Sequence, residues 1–134
     1  MLCVNGITFN MGLAHSPSII SNGLVFYLDA ANTRSYSGSG LTLNALVGGI
    51  GGTLVNGVGF TSSNNGTFIF DGTNDYISLP NESNFDFTNQ MTVEAWVNVS
   101  AFTKAYQTII SKGDNSWRLL RNNTSNNLIF AINN

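Results

Sequence analysis

Seven carboxylates and one histidine are all that this 134-residue chain offers for acid–base chemistry, and their spacing suits it poorly. Glycoside hydrolysis needs two carboxylates across a cleft, one as acid and one as base or nucleophile. In the 91–99 run Met-Thr-Val-Glu-Ala-Trp-Val-Asn-Val, Glu94 has Thr92 and Trp96 at the flanking positions of its strand face, so no second acid stands beside it. His15 lies near the N-terminus with no Ser or Cys nucleophile pattern around it, which argues against a catalytic triad. These residues predict a protein that is not an enzyme.

Binding chemistry is better represented. Asp71, Asn74 and Asp75 fall within one turn and offer the oxygen ligands that a hard cation such as Ca²⁺ requires. The competing reading is that Asp71 and Asn74 cap the turn by side-chain-to-backbone hydrogen bonds, and it takes precedence because so few acids stand elsewhere. No other cofactor is implied. Tyr36, Tyr106 and Trp117 lie in or beside polar loops and form the expected platform for stacking on sugar rings, with Asn and Asp nearby to bind hydroxyls. Trp96 is expected in the core, since a central sandwich strand is covered on both faces. The Asn-Xaa-Ser/Thr sequons at Asn65, Asn81, Asn98, Asn122 and Asn123 carry little weight in so Asn-rich a chain.

The elements that must position these residues read as short strands. Leu24–Asp29 is apolar on both faces, as inside a sandwich, and Thr53-Leu54-Val55 is a short strand amid six glycines in Gly48–Gly59. Thr67–Asp71 and Asp75–Leu79 flank the Asp71-Gly72 turn and predict a hairpin. Met91–Val99 alternates cleanly, with Val93, Ala95, Val97 and Val99 on one face. Gln107–Ser111, Trp117–Leu120 and Leu128–Ile132 bring the expectation to about eight strands. Pro80–Thr88 is a loop whose Phe85 and Phe87 should tuck under the sheet. Residues 1–15 form an N-terminal arm or first strand, and 16–134 the domain.

Composition agrees. Charged residues make up only 9% of the chain, and 14 Gly and 20 Asn suit many polar turns between strands better than a long helix. The five cations form no run, which excludes the basic patch a nucleic-acid partner needs, although three of them fall within 112–121. Cys3 is the one cysteine, so no intrachain disulfide and no cysteine-based metal site can form. No stretch reads as a signal peptide or membrane span.

Several of these segments, in order, carry a resemblance: Asn22-Gly23-Leu24-Val25-Phe26-Tyr27-Leu28-Asp29-Ala30-Ala31-Asn32, Ser35-Tyr36-Ser37-Gly38-Ser39-Gly40, Gly52-Thr53-Leu54, Phe70–Leu79, Glu94-Ala95-Trp96 and Gln107–Gly113. Together they resemble laminin-G-like members of the concanavalin A-like lectin/glucanase superfamily, above all structural proteins of tailed bacteriophages. The resemblance implies an all-β, jelly-roll β-sandwich. It also implies a non-enzymatic virion protein on the particle exterior, a capsid decoration or tail or fibre component, with a lectin-like domain that adheres to glycans. The alternatives are a free carbohydrate-binding module and, behind it, a glycoside hydrolase. The implied partners are other virion proteins, further copies of the chain and glycans, with neither nucleic acid nor membrane insertion. Relatives carry a Trp and an Asp where this chain has Leu43 and Ala45, which weakens a polar contact or cation there. They also continue with further strands, so the domain is expected to be shortened at its C-terminus, with residues 126–134 or the arm 1–15 at a contact with another chain.

Overall fold

The computed structural model describes residues 2–4, 7–9 and 21–133. The described chain is built of antiparallel strands, with two single 3-10 turns as its only helical pieces. The strands are β1 (Leu2–Val4), β2 (Ile7–Phe9), β3 (Thr42–Asn44), β4 (Gly51–Val55), β5 (Gly59–Thr61), β6 (Thr67–Ile69), β7 (Tyr76–Ser78), β8 (Thr108–Ser111), β9 (Trp117–Arg121) and β10 (Leu128–Ile132). They assort into the sheets β3-β4-β7 and β10-β9-β8 and the pairs β1-β2 and β5-β6. The all-β expectation holds, and the architecture is consistent with a concanavalin A-like sandwich.

Among the described residues, the β3-β4-β7 sheet and the β5-β6 pair form two layers that meet around a shared cluster. Leu43 lies opposite Gly52, and Leu54 opposite Ile77, which puts Leu43, Leu54 and Ile77 on one face of β3-β4-β7. Against that face come Phe60 and Phe68, directly paired across β5 and β6. Tyr36 plugs the centre, its ring edge-on to Phe60 at 5.0 Å and to Phe68 at 5.1 Å. Such tilted contacts between aromatic quadrupoles add to the area they bury. Gly52 keeps this layer close: a Cβ would sit 3.0 Å from Leu79 Cδ2 and 3.3 Å from the Ser78 carbonyl, so these neighbours would have to give by a few tenths of an ångström.

The turns are where the sequence expectation fails. Thr67–Asp71 and Asp75–Leu79 do not form a hairpin with each other: β6 pairs with β5, and β7 pairs with β4. The Asp71–Asp75 turn therefore carries the chain from one layer to the other. Asn56-Gly57, with φ of 64° and 103°, does the same between β4 and β5. Turn chemistry fixes a reversal of direction, but the layer in which the next strand lands depends on which face its apolar side chains can bury.

Two expected strands are absent from the ladders. In Leu24–Asp29 only Tyr27 makes a bridge, to Val47. Residues 90–99 run without turn or bend but pair with no strand among the described residues. Phe85 and Phe87 do tuck in as anticipated. The Phe85 ring stands edge-on to Phe26 at 5.8 Å, and Phe87 lies 6.4 Å from Trp117. Lys112 locks that loop down, its Nζ 2.9 Å from Glu82 Oε2 and bonded also to Asp86 Oδ1. Those two carboxylates push the Lys112 ammonium pKa up, Asp86 foremost. His15 and the boundary between arm and domain lie outside the described residues.

Candidate functional site

The Asp71–Asp75 turn is held together from within. Asp71 Oδ1 accepts the amide hydrogens of Thr73 at 2.7 Å and Asn74 at 3.4 Å, and Asp75 Oδ2 accepts that of Asp71 at 3.1 Å. The Thr73 amide is the main reason that the Asp71 carboxyl lies below its ordinary pKa. The outward carbonyls are engaged too: Thr103 Oγ1 donates to Gly72, Lys104 Nζ to Thr73, and Asn56 Nδ2 to Asn74. An ammonium and several N–H and O–H donors thus engage the turn's carbonyls and one oxygen of each of its two carboxylates. Asp75 Oδ1 is buried without a partner, as is Arg118 Nε elsewhere among the described residues. This donor set fits a turn capped from within and docked on its neighbours, with its carbonyls and two of its carboxylate oxygens already accepting hydrogen bonds.

Two of the three residues expected to stack on sugar are core residues instead. Tyr36 is 5% exposed, its hydroxyl donating to the Gly40 carbonyl at 2.9 Å. Trp117 is 8% exposed, its indole Nε1–H donating to the Phe85 carbonyl at 3.0 Å and its ring lying 6.4 Å from Phe130. Both have an internal partner for their polar atom, so burial leaves nothing unsatisfied. Tyr106 alone of the three is exposed, in a left-handed turn with φ 55°. Its amide donates to the Asn123 carbonyl at 3.2 Å.

Arg121, which the sequence did not single out, organises that corner. Its buried guanidinium donates to the carbonyls of Ser125 at 2.7 Å, Lys104 at 2.9 Å and Thr124 at 2.5 Å. It also stacks over Phe102, 4.9 Å from the ring centroid. One planar fork thereby ties the 102–107 loop to the 122–125 turn. A charged residue facing inward next to a run of Asn, Thr and Ser was the available signal, and its spacing alone resembles a solvated strand face.

Trp96 reverses its expected place: it is 94% exposed, the most exposed of the large apolar side chains among the described residues. Alternation puts it on one face of the 91–99 segment with Thr92, Glu94 and Asn98. At the start of the segment, Met91, Thr92 and Val93 line, with Leu119 and Phe130, an open cleft of about 220 Å³. That cleft is smaller than ordinary ligand pockets of roughly 300–1,000 Å³, so a ligand would be met on an open surface.

Comparison with known proteins bears on this half of the chain. Residues 71–134 match a model of the concanavalin A-like lectin/glucanases superfamily. The match takes in the docked turn, Trp96, Tyr106 and all of β8, β9 and β10. No curated protein and no solved structure matches the chain.

Proposed function

We propose that this chain is a non-enzymatic, lectin-like domain that adheres to glycans through an open aromatic surface centred on Trp96. The observation that carries the proposal is the almost fully exposed indole, flanked on its own face by the hydrogen-bonding side chains of Glu94 and Asn98. An indole face stacks on the apolar face of a pyranose, while amide and carboxylate oxygens take up the hydroxyls around it. The superfamily match over 71–134 supports this class of partner. Glu94 is then a hydroxyl acceptor and not an acid catalyst, because its face offers no second carboxylate.

The domain's setting is the second part of the proposal: the exterior of a virion, as a capsid decoration or a tail or fibre component. It rests on the order and spacing of the 22–32, 35–40, 52–54, 70–79, 94–96 and 107–113 segments, which resemble laminin-G-like phage proteins. Two measurements test the proposal. On a glycan array the protein should bind a restricted set of sugars with intrinsic tryptophan quenching, and Trp96→Ala should lose at least tenfold in affinity. Glu94→Gln should keep most of the affinity, and no hydrolysis product should accumulate with either protein. Binding indifferent to Trp96→Ala, or hydrolysis abolished by Glu94→Gln, would sink the adhesion reading. Mass spectrometry of purified particles decides the virion setting.

A further inference from the structure

We propose that Asn22-Gly23 is a site of spontaneous modification, where the folded chain deamidates and isomerises while its other described Asn-Gly pairs are protected. In this reaction the backbone nitrogen of the following residue attacks the Asn side chain. A bond forms from that nitrogen to Cγ, the Cγ–Nδ2 bond breaks, and the nitrogen's proton leaves with the amide as ammonia. The five-membered imide then takes up one water, which opens it at either carbonyl to give aspartate or isoaspartate. Solvent is the only co-reactant. A following glycine favours the attack, because no Cβ shields its nitrogen and its backbone turns freely.

Among the described residues the dipeptide occurs at 22–23, 56–57 and 65–66, and by sequence the three pairs are equivalent. The fold separates them. Asn56 is held in the left-handed region with φ 64°, and its Nδ2 donates to the Asn74 carbonyl at 2.8 Å. The nitrogen that must leave is therefore tied to the 71–75 turn. At 65–66 the attacking nitrogen is the one engaged: the Gly66 amide donates to the Ser63 carbonyl at 3.1 Å. Gly66 is also wedged in place, since a Cβ there would fall 2.4 Å from the Ala30 carbonyl oxygen.

Asn22-Gly23 has neither restraint. It forms the centre of the Ser21–Leu24 turn, closed by the Leu24 amide donating to the Ser21 carbonyl at 3.1 Å. Gly23 has φ 79° and Asn22 lies outside the left-handed region, which makes this a type II turn. Its one hydrogen bond leaves the Gly23 amide unused. Both residues are exposed, and a Cβ at Gly23 would meet nothing within 4 Å. Turning this peptide towards its own side chain is a local motion, whereas at 56–57 and 65–66 it breaks contacts with other segments. The product adds a negative charge to a chain of formal net charge −2. In the isoaspartyl form the main chain also gains one methylene ahead of Tyr27, which bridges to Val47.

The test is site-resolved peptide mapping by mass spectrometry after the 134-residue chain has aged for weeks in mildly alkaline buffer, folded or in guanidinium chloride. Digestion at acid pH, where the attack is slow, preserves the record. Asn5-Gly6 lies outside the described residues and is mapped as a separate peptide. In the folded chain Asn22 should convert at least about tenfold faster than Asn56 or Asn65, the ratio that about 1.4 kcal/mol of extra opening cost sets. In denaturant the three rates should converge, and Asn22→Gln should abolish conversion of the 21–24 turn with an unchanged far-UV spectrum. Asn56 or Asn65 keeping pace with Asn22 in the folded chain would overturn the proposal. So would an Asn22 that converts only in denaturant, or a ranking that survives denaturation.

Discussion

Trp117 and Trp96 sit in segments of equal strand character, yet one indole is buried with its N–H satisfied and the other projects into solvent. The difference lies in what each segment meets. β9 has β8 and β10 on its two sides, and the 82–87 loop, pinned by Lys112, delivers Phe87 and the Phe85 carbonyl to Trp117. The 91–99 segment pairs with no strand among the described residues, and Met91, Thr92 and Val93 share a cleft with Leu119 and Phe130. Alternation in sequence therefore specifies which side chains share a face, while burial requires an edge and a covering layer that alternation does not supply.

The sharpest way to break this contrast is to truncate one side chain on each side of it. Leu43 is fully buried between the two layers of the core. Leu43→Ala should cost about 2–5 kcal/mol, as deletions at rigid core sites do. Trp96→Ala removes a larger side chain but should change stability by less than about 0.5 kcal/mol, because water already surrounds it. Denaturant melts at low micromolar concentration measure both. A large loss at Trp96 would mean that the 91–99 segment is packed in solution, and the contrast would vanish.

How much was legible beforehand follows the same division. The strands β4, β6, β7, β8, β9 and β10 were readable from local apolar runs, and so was the tucking of Phe85 and Phe87. The pairing was not. Asp71-Gly72 reads as a hairpin turn but switches layers, because β5 and β6 bury Phe60 and Phe68 against Tyr36 by pairing with each other. Tyr36 and Trp117 were misplaced for a related reason. Polar neighbours in sequence said "loop surface", yet Gly40 and Phe85 supply carbonyls from nearby in space that let both aromatics go inside. Arg121 was hidden because its acceptors are backbone carbonyls, which have no sequence signature.

A middle-sized effect tests whether the exposed Tyr106 corner is as ordered as the core. Arg121→Met keeps the stem and removes the fork, leaving three carbonyls without their donor. It should cost about 2–3 kcal/mol, in keeping with hydrogen bonds to a charged group, and should raise hydrogen exchange in 102–107 and 122–127. Arg121→Lys should recover less than half, since a point charge cannot serve three acceptors in a plane. Equal stability of both variants would show that the 102–107 loop is held by something other than this fork.

The smallest effect is expected at the Asp71–Asp75 turn, where exposure and salt weaken every charge interaction. Asp71 has its pKa lowered in the folded chain, chiefly by the Thr73 amide, so its charged form favours the fold. The contribution is present above the unfolded carboxylate pKa of about 3.9 and fades as pH falls through the lower folded value. Asp71→Asn keeps an oxygen acceptor for the Thr73 amide and loses only the charge. Its melting temperature should lie within about 2 °C of the parent at pH 7, a range typical of one exposed charge, and the gap should narrow as pH falls below about 4. A gap that does not narrow with falling pH would show that the carboxylate is not stabilised by the turn. Millimolar Ca²⁺ or a chelator should leave both proteins' melting temperatures unmoved, because a ligand that does not bind the folded state cannot stabilise it. A rise of several degrees with Ca²⁺, lost in Asp71→Asn, would mean that the ion displaces Lys104 from the Thr73 carbonyl, and the turn would then be a cation site after all.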